Sequence, residues 1–431
     1  MRKPLPVPDL RPVLWLVLAA PLLVYAGLLV RYAYNFPFLD DYGTVLAHAL
    51  LSLDEQLSNW FAPHNEHIHL ILKAAVTADH LVWGQVSFVR LIGYGALFYL
   101  VFFAVLIIWA RKSDLEWVWI IPVSFILFQP SYWGTMTWAT TALHNFPGLL
   151  FALLTVIFWK DCTLGNRLCA FLFLTLALFT NGFGIALLGS LLVWQAYEIF
   201  KPLPRDRTLS RWISLAALIL GLATWIVFRQ SQEINLLRNP VGTLDFAGFL
   251  HFFSNFAGSC IHFLGSPWVN LLAVAEVGAL LWLLKSDFHR KHPAWTCFIL
   301  YLFIAALITT VARVDMGPKQ GLASRYRIYS TLLVCFLYLG LVRTYGKRWT
   351  SNRWAWPTAW GVAFLFYGAS LFVNLNNLGK IHDRLEADRM RWSRGEPVHE
   401  FPEPHQAARI LQEAEEAGIF STRRSVQESS P

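Results

Sequence analysis

Val13-Leu14-Trp15-Leu16-Val17-Leu18-Ala19-Ala20-Pro21-Leu22-Leu23-Val24-Tyr25-Ala26-Gly27-Leu28-Leu29-Val30 is an unbroken uncharged run. A helix of about 20 apolar residues crosses a hydrocarbon core of roughly 30 Å, so the run reads as a membrane span. Arg2, Lys3 and Arg11 precede it and mark a cytoplasmic flank. In outline the segment resembles a signal peptide. It is too long for a typical apolar signal core and ends without a small-x-small site, so it is expected to stay as an uncleaved anchor.

The same texture recurs along the chain. Of 431 residues, 56% are hydrophobic and 14% charged, against about a quarter charged in ordinary soluble domains. Apolar runs place spans near 12–30, 88–110, 116–129, 146–160, 167–181, 184–200, 211–228, 267–285, 293–312, 328–343 and 354–373. The fold class expected is all-α, a polytopic transmembrane helical bundle of about 11 spans. Residues 1–373 form the bundle, with the first outer loop at 31–87, and 374–431 form a non-cytoplasmic tail. About half of the 35 Lys and Arg residues fall in the N-terminus and in alternate connections, at Arg111-Lys112, Lys160 to Arg167, Lys201 to Arg211, Lys285 to Lys291 and Arg343 to Arg353. This bias puts those connections on the cytoplasmic side.

The net charge of +8 sits in these short clusters and not along one amphipathic face, which argues against a nucleic-acid partner. The five cysteines have no paired spacing, so neither a disulfide framework nor a zinc module is expected. Residues 44–59 have apolar positions at helical spacing and read as an interfacial helix. A further amphipathic helix is expected near 405–417, between Pro404 and Gly418, with disorder from Ser421 to Pro431.

The polar clusters lie on the outer side. Asp40-Asp41 follows the first span by about ten residues. Two adjacent carboxylates beside an apolar segment repel and are poorly solvated, so one should have a raised pKa or the pair should share a cation or an Arg. That suits a general base or a metal site, while the plain alternative is the solvated end of a helix. Further on, His64-Asn65-Glu66-His67-Ile68-His69 gathers three imidazoles and a carboxylate. Imidazole and carboxylate are ordinary ligands of divalent metals, and His64 and His67 could share a helical face. No H-E-x-x-H protease signature is present. The alternative is a polar helix start whose histidines bond within the loop.

Gln129 to Trp138, rich in aromatics, suits a membrane-interface belt or a sugar-stacking surface. His144-Asn145-Phe146-Pro147 and Asn181-Gly182-Phe183-Gly184 either line a cavity or satisfy helix ends. Arg313, Lys319, Arg325 and Arg327 form a cationic cluster on the outer side, against the charge bias, and call for an anion such as a lipid phosphate headgroup. Asp315 or the first-loop acids are the internal alternative.

Taken together, Asp40-Asp41, His64-Asn65-Glu66-His67, His144-Asn145-Phe146-Pro147 and Ser324-Arg325-Tyr326 before a late span resemble the bacterial GT-C-type integral membrane glycosyltransferases. The resemblance implies a sugar transferred from a polyprenyl-phosphate donor to an envelope glycan, lipid or protein acceptor. It places the chain in the bacterial inner membrane, with the loop and C-terminus outside. It implies Asp40, Asp41 and Glu66 as catalytic residues, and His64, Asn65, His67, His144, Asn145, Lys319, Arg325, Tyr326 and Arg327 as substrate-binding residues. A divalent cation (Mg, Mn or Zn) would be held by Asp40, Asp41, Glu66 and His67. Proteins of that type often carry Arg after Asn-Glu-His, where this chain has Ile68. A lipid or anionic-solute transporter or flippase, or a polymerase or ligase acting on lipid-linked glycans, is the alternative. A transporter predicts ionisable residues inside several spans, and few are found.

Overall fold

The computed structural model describes residues 11–64, 67–161, 163–200, 205–231, 245–349, 352, 354–399 and 404–422. Among these residues the chain is helical apart from loops, turns and one isolated bridge between His64 and His67. Among the described residues eight helices are long and apolar enough to cross a membrane, and Leu164–Thr180 and Gly184–Ile199 are shorter apolar helices. Trp117–Leu127 coincides with an expected span but has 11 residues. At 1.5 Å per residue it rises roughly 16 Å, about half a hydrocarbon core.

Ala139–Trp159 is the axis of the bundle. It is buried on nearly all sides, including Phe146, Leu149, Leu153 and Val156. Phe88–Lys112 packs closely on it because the contact is made by small residues: a Cβ on Gly95 would lie 2.7 Å from the Cβ of Ala142. In a bilayer, where apolar surface alone gives little drive to associate, such close approach gains dispersion contact. Tyr99 stacks on Phe146 with ring centroids 4.5 Å apart, one turn further along the same contact. This helix starts at Ala139, not near 146 as hydropathy suggests, because Thr140, Thr141, His144 and Asn145 are polar residues on a true helical turn.

A second hydrophobic cluster lies at the loop end of the bundle. Phe36, Phe38, Tyr42, Val45 and Leu46 of the first loop pack with Leu72 and Val76 of the helix Leu70–Trp83. They also pack with Ile381, Leu385, Ile410, Leu411 and Phe420 from the C-terminal part of the chain. The final long helix runs without interruption from Ala355 to Ser393 and carries the tail back onto the loop. There Pro404–Glu416 lays its apolar stripe down, and Val86 N–H donates to Ile419 C=O at 2.8 Å. The tail thus packs as part of the loop layer.

The expected interfacial helix 44–59 is divided. A π-helical turn at Tyr42–Leu46 and a short piece at Ala47–Ala49 lead to Leu53–Asn59, whose start is set by Ser52 and Glu55 in a capping box. Ser52 adopts an extended ψ to cap the new helix, which ends the preceding one. A helix forms at Phe246–Ala257, in a stretch read from sequence only as loop, and Asn255 Nδ2 donates to Pro318 C=O at 2.8 Å. The expected disorder beyond Thr422 falls outside the described residues.

Candidate functional site

Asp40 and Asp41 are neighbours in sequence but face opposite ways. They sit in a tight turn closed by Asp41 N–H donating to Phe38 C=O at 3.0 Å, with Leu39 held at φ +46. A non-glycine residue in the left-handed region is strained, and such strain persists where the surroundings fix it. Asp41 is buried at 1% exposure. Its Oδ2 accepts from Phe38 N–H at 3.1 Å, and its Oδ1 accepts from Thr140 N–H at 2.9 Å. Thr140 Oγ1 lies 2.5 Å from the same Oδ1. The carboxyl therefore pins the loop to the first turn of the axial helix.

Burial drives the Asp41 pKa up to about 7, opposed by the bonds from Thr140 and Phe38. Hydroxyl counting points the same way. Thr140 Oγ1 is also 2.7 Å from Thr44 Oγ1, which is 2.8 Å from Asp40 C=O. Each hydroxyl has one proton to give. A protonated Asp41 donating to Thr140, Thr140 to Thr44 and Thr44 to Asp40 C=O satisfies every link, whereas an ionised Asp41 leaves one short oxygen pair without a hydrogen between them.

Asp40 is half-buried and lines a cavity of about 310 Å³. The same cavity is lined by His64, His67, His69 and His144, by Trp138, Thr140, Thr141 and Asn145, and by Arg313, Arg325 and Tyr326. The histidines converge from two directions. His64 and His67 pair through their backbones, N–H to C=O, at 2.7 and 3.0 Å, which folds this strip back on itself. It is a hairpin-like turn and not the helical face expected, so i, i+3 spacing is not what brings the two rings to the cavity. Asn65 and Glu66 lie outside the described residues.

His69 holds a left-handed φ of +59 at the start of Leu70–Trp83, and its Nδ1 lies 3.0 Å from Nδ1 of His144. The ring centroid of His67 is 4.5 Å from that of His144 and 5.4 Å from that of His69. Burial, followed by the positive charge of neighbouring groups, holds His69 well below the usual histidine range. It is neutral, so one imidazole can donate to the other across the 3.0 Å contact. Gly182 lets this group close up: a Cβ there would sit 2.8 Å from His67 Nδ1. Behind them Asn181 Nδ2 donates to His144 C=O at 3.2 Å and to Asn145 Oδ1 at 3.2 Å, and Tyr329 Oη donates to Asn145 Oδ1 at 3.0 Å. Asn145 is thereby fixed with its amide at the cavity wall.

The cationic wall is Arg313 and Arg325, whose guanidinium carbons lie 5.9 and 5.2 Å from the centre of the Tyr326 ring. Thr135 Oγ1 donates to Arg325 C=O at 3.3 Å, and Gly134 admits the Ser324–Tyr326 turn, since a Cβ on Gly134 would be 2.3 Å from Ser324 Oγ. Arg327 is turned inward. Its guanidinium donates to Leu322 C=O, Ser131 C=O and His262 Nε2, each at 2.9 Å, and it does not line the cavity. Two residues apart at a helix start point in nearly opposite directions, which separates Arg325 from Arg327. Burial and the adjacent Arg327 charge push His262 down to about 3, leaving its ring neutral and able to accept. Lys319 is exposed and away from the cavity.

Sequence reasoning missed Thr140 and Trp225 as cavity residues, and it noted His69, Trp138 and Gly182 only as parts of polar or aromatic stretches without a role of their own. Trp138 is 5% exposed, and its indole N–H has no acceptor among the described residues, so it offers a buried donor at the cavity wall. Among the described residues no group of three or more His, Cys, Asp or Glu has an arrangement that would hold a metal ion. Both Asp41 oxygens are taken by Phe38 and Thr140, so a cation in this wall would rely on Asp40 and the imidazoles, a donor set closer to zinc than to magnesium. No protein-family model matches the sequence, and no curated protein or solved structure matches it at a significant level.

Proposed function

We propose that the chain is a membrane glycosyltransferase that moves a sugar from a polyprenyl-phosphate donor to an envelope glycan, lipid or protein acceptor on the non-cytoplasmic face. The observation that carries this reading is one cavity with a carboxylate, Asp40, on the loop side and two guanidinium groups, Arg313 and Arg325, on the other elements that close it. Group transfer from a lipid phosphate needs both: a base for the incoming hydroxyl and positive charge for the departing phosphate.

In this mechanism Asp40 takes the proton of the acceptor hydroxyl as its oxygen bonds to the anomeric carbon. The bond from that carbon to the phosphate oxygen breaks, and the lipid phosphate leaves with the electron pair against Arg313 and Arg325. Single displacement inverts the anomeric configuration. The imidazoles, the Trp138 indole and Asn145 supply the directional hydrogen bonds that sugar hydroxyls require. Asp41 acts as a positioning residue through the Phe38–Asp41 turn. Arg327 holds Ser131 and Leu322 together and positions the turn that carries Arg325.

The charge bias supports a cytoplasmic N-terminus and an outward cavity. Lipid and glycan mass spectrometry on cells with and without the gene tests the function. A sugar-sized mass lost from one glycan or glycolipid on deletion is expected. Solute flux in liposomes with no covalent product would establish a transporter instead.

A further inference from the structure

A second cavity of about 470 Å³ lies between the helices Leu164–Thr180, Gly184–Ile199 and Arg205–Ser231. Its lining is hydrocarbon and aromatic, including Leu174, Leu178, Phe179, Leu188 and Phe228, with the hydroxyls of Thr175 and Thr224 and the indole of Trp225 along it. Trp225 lines this groove and also the histidine–arginine cavity, so a single side chain forms the partition between them. The ring of Trp225 is 5.3 Å from Phe179, which is itself 5.4 Å from Phe61 of the first loop. One aromatic column therefore runs from the site loop into the groove. The helix that closes the groove turns Ile219 and Val227 outward, at 53% and 63% exposure, toward the hydrocarbon phase.

A cationic, hydrogen-bonding chamber joined through one indole to an apolar slot at membrane depth is complementary to one chemical class, an anionic head on a long hydrocarbon tail. We propose that this groove seats the hydrocarbon chain of the same amphiphile whose phosphate lies against Arg313 and Arg325, with Trp225 at the head–chain junction. The inference rests on the phosphate reading of the first cavity and adds the location of the chain. It makes chain length a determinant of binding, set by side chains remote from Asp40.

Gly221 lines the groove and a Cβ added there meets nothing within 4 Å, so Gly221→Leu places a side chain at the slot with its first carbon unopposed. Thr224→Phe is a second filler. Full-length wild type and both variants in detergent are titrated with dimethylallyl phosphate, which has the head and a five-carbon chain, and with farnesyl phosphate, which adds ten carbons, by native mass spectrometry. Wild type is expected to bind farnesyl phosphate at least about tenfold more tightly, since each buried methylene contributes about 0.8 kcal/mol and tenfold needs about 1.4. Both fillers should erase that ratio and leave dimethylallyl phosphate binding within about twofold, which also shows that they fold.

A wild-type ratio near one, with dimethylallyl phosphate bound, overturns the groove and spares the phosphate site. A ratio that survives both fillers places the chain elsewhere and also overturns it. Displacement of farnesyl phosphate by equimolar dioleoyl phosphatidic acid would make the groove a general acyl slot, and binding of neither phosphate would refute both readings.

Discussion

Replacing Asp40 and Asp41 one at a time should separate chemistry from architecture. Asp41→Ala removes the acceptor for two buried backbone donors, Phe38 N–H and Thr140 N–H, as well as the partner of Thr140 Oγ1. A buried donor left without an acceptor costs roughly 1–3 kcal/mol, so the variant should lose about 2–6 kcal/mol of stability. Asp41→Asn keeps one acceptor oxygen but turns an NH2 toward the other amide, a loss of roughly 1–3 kcal/mol. Asp40 is half-buried at the cavity wall, and Asp40→Asn should stay within about 0.5 kcal/mol of wild type while losing about 10²- to 10⁴-fold in transfer rate. Thermal unfolding of the purified chains in detergent reads the first quantity, and sugar transfer per folded molecule reads the second. An Asp41→Asn chain that unfolds like wild type but transfers nothing, beside an active Asp40→Asn chain, would refute this division and make Asp41 the base.

Asp41 also predicts a pH dependence. Its pKa is raised on folding from 3.8 to about 7, so its contribution to stability is full below about pH 4 and is lost as pH rises toward and through 7. The unfolding midpoint should fall across that window, and Asp41→Asn should flatten the slope. Arg325→Ala and Arg313→Ala should each weaken short-chain phosphate binding about tenfold or more in a titration, whereas Lys319→Ala, exposed and outside the cavity, should change it by less than about twofold. Gly134→Ala forces a Cβ to 2.3 Å from Ser324 Oγ and should cost about 1–3 kcal/mol. Adding Ser324→Ala should recover most of that in a double-mutant cycle, because the Ser324 Cβ is 3.4 Å away. Leu411→Ala, fully buried where the tail meets the first loop, should destabilise by about 2–5 kcal/mol and lower transfer in proportion to the fraction unfolded.

The bundle was legible because a membrane span announces itself by apolar length alone, and the runs from Val13 and from Phe88 map onto helices at Arg11–Tyr32 and Phe88–Lys112. Hydropathy misplaced the start of Ala139–Trp159 for a physical reason. Thr140, Thr141, His144 and Asn145 are polar because they face the cavity, and along one chain a polar helical turn on an internal wall looks like a loop. Composition likewise drew the eye to Asp40-Asp41 and to the late arginines, but adjacency in sequence does not carry direction. The Leu39 turn sends Asp40 to the cavity and Asp41 into the protein, and the helix start at Arg327 buries one guanidinium beside His262 while Arg325 lines the wall. Thr140 and His262 gave no signal, since each acquires its role from a partner far away in the chain, Asp41 and Arg327. The tail read as a separate outer segment because its apolar stripe is short, and its partner surface on the first loop exists only after folding.

The most direct test of the central claim compares cells lacking the gene, complemented with wild type or with Asp40→Asn at equal membrane abundance, by mass spectrometry of lipids and glycans. Wild type should restore a sugar-sized mass on one acceptor, and Asp40→Asn should leave that acceptor bare with its lipid-linked donor accumulated. Full restoration by Asp40→Asn, or no difference in any glycan or glycolipid between deletion and wild type, would contradict the glycosyltransferase reading.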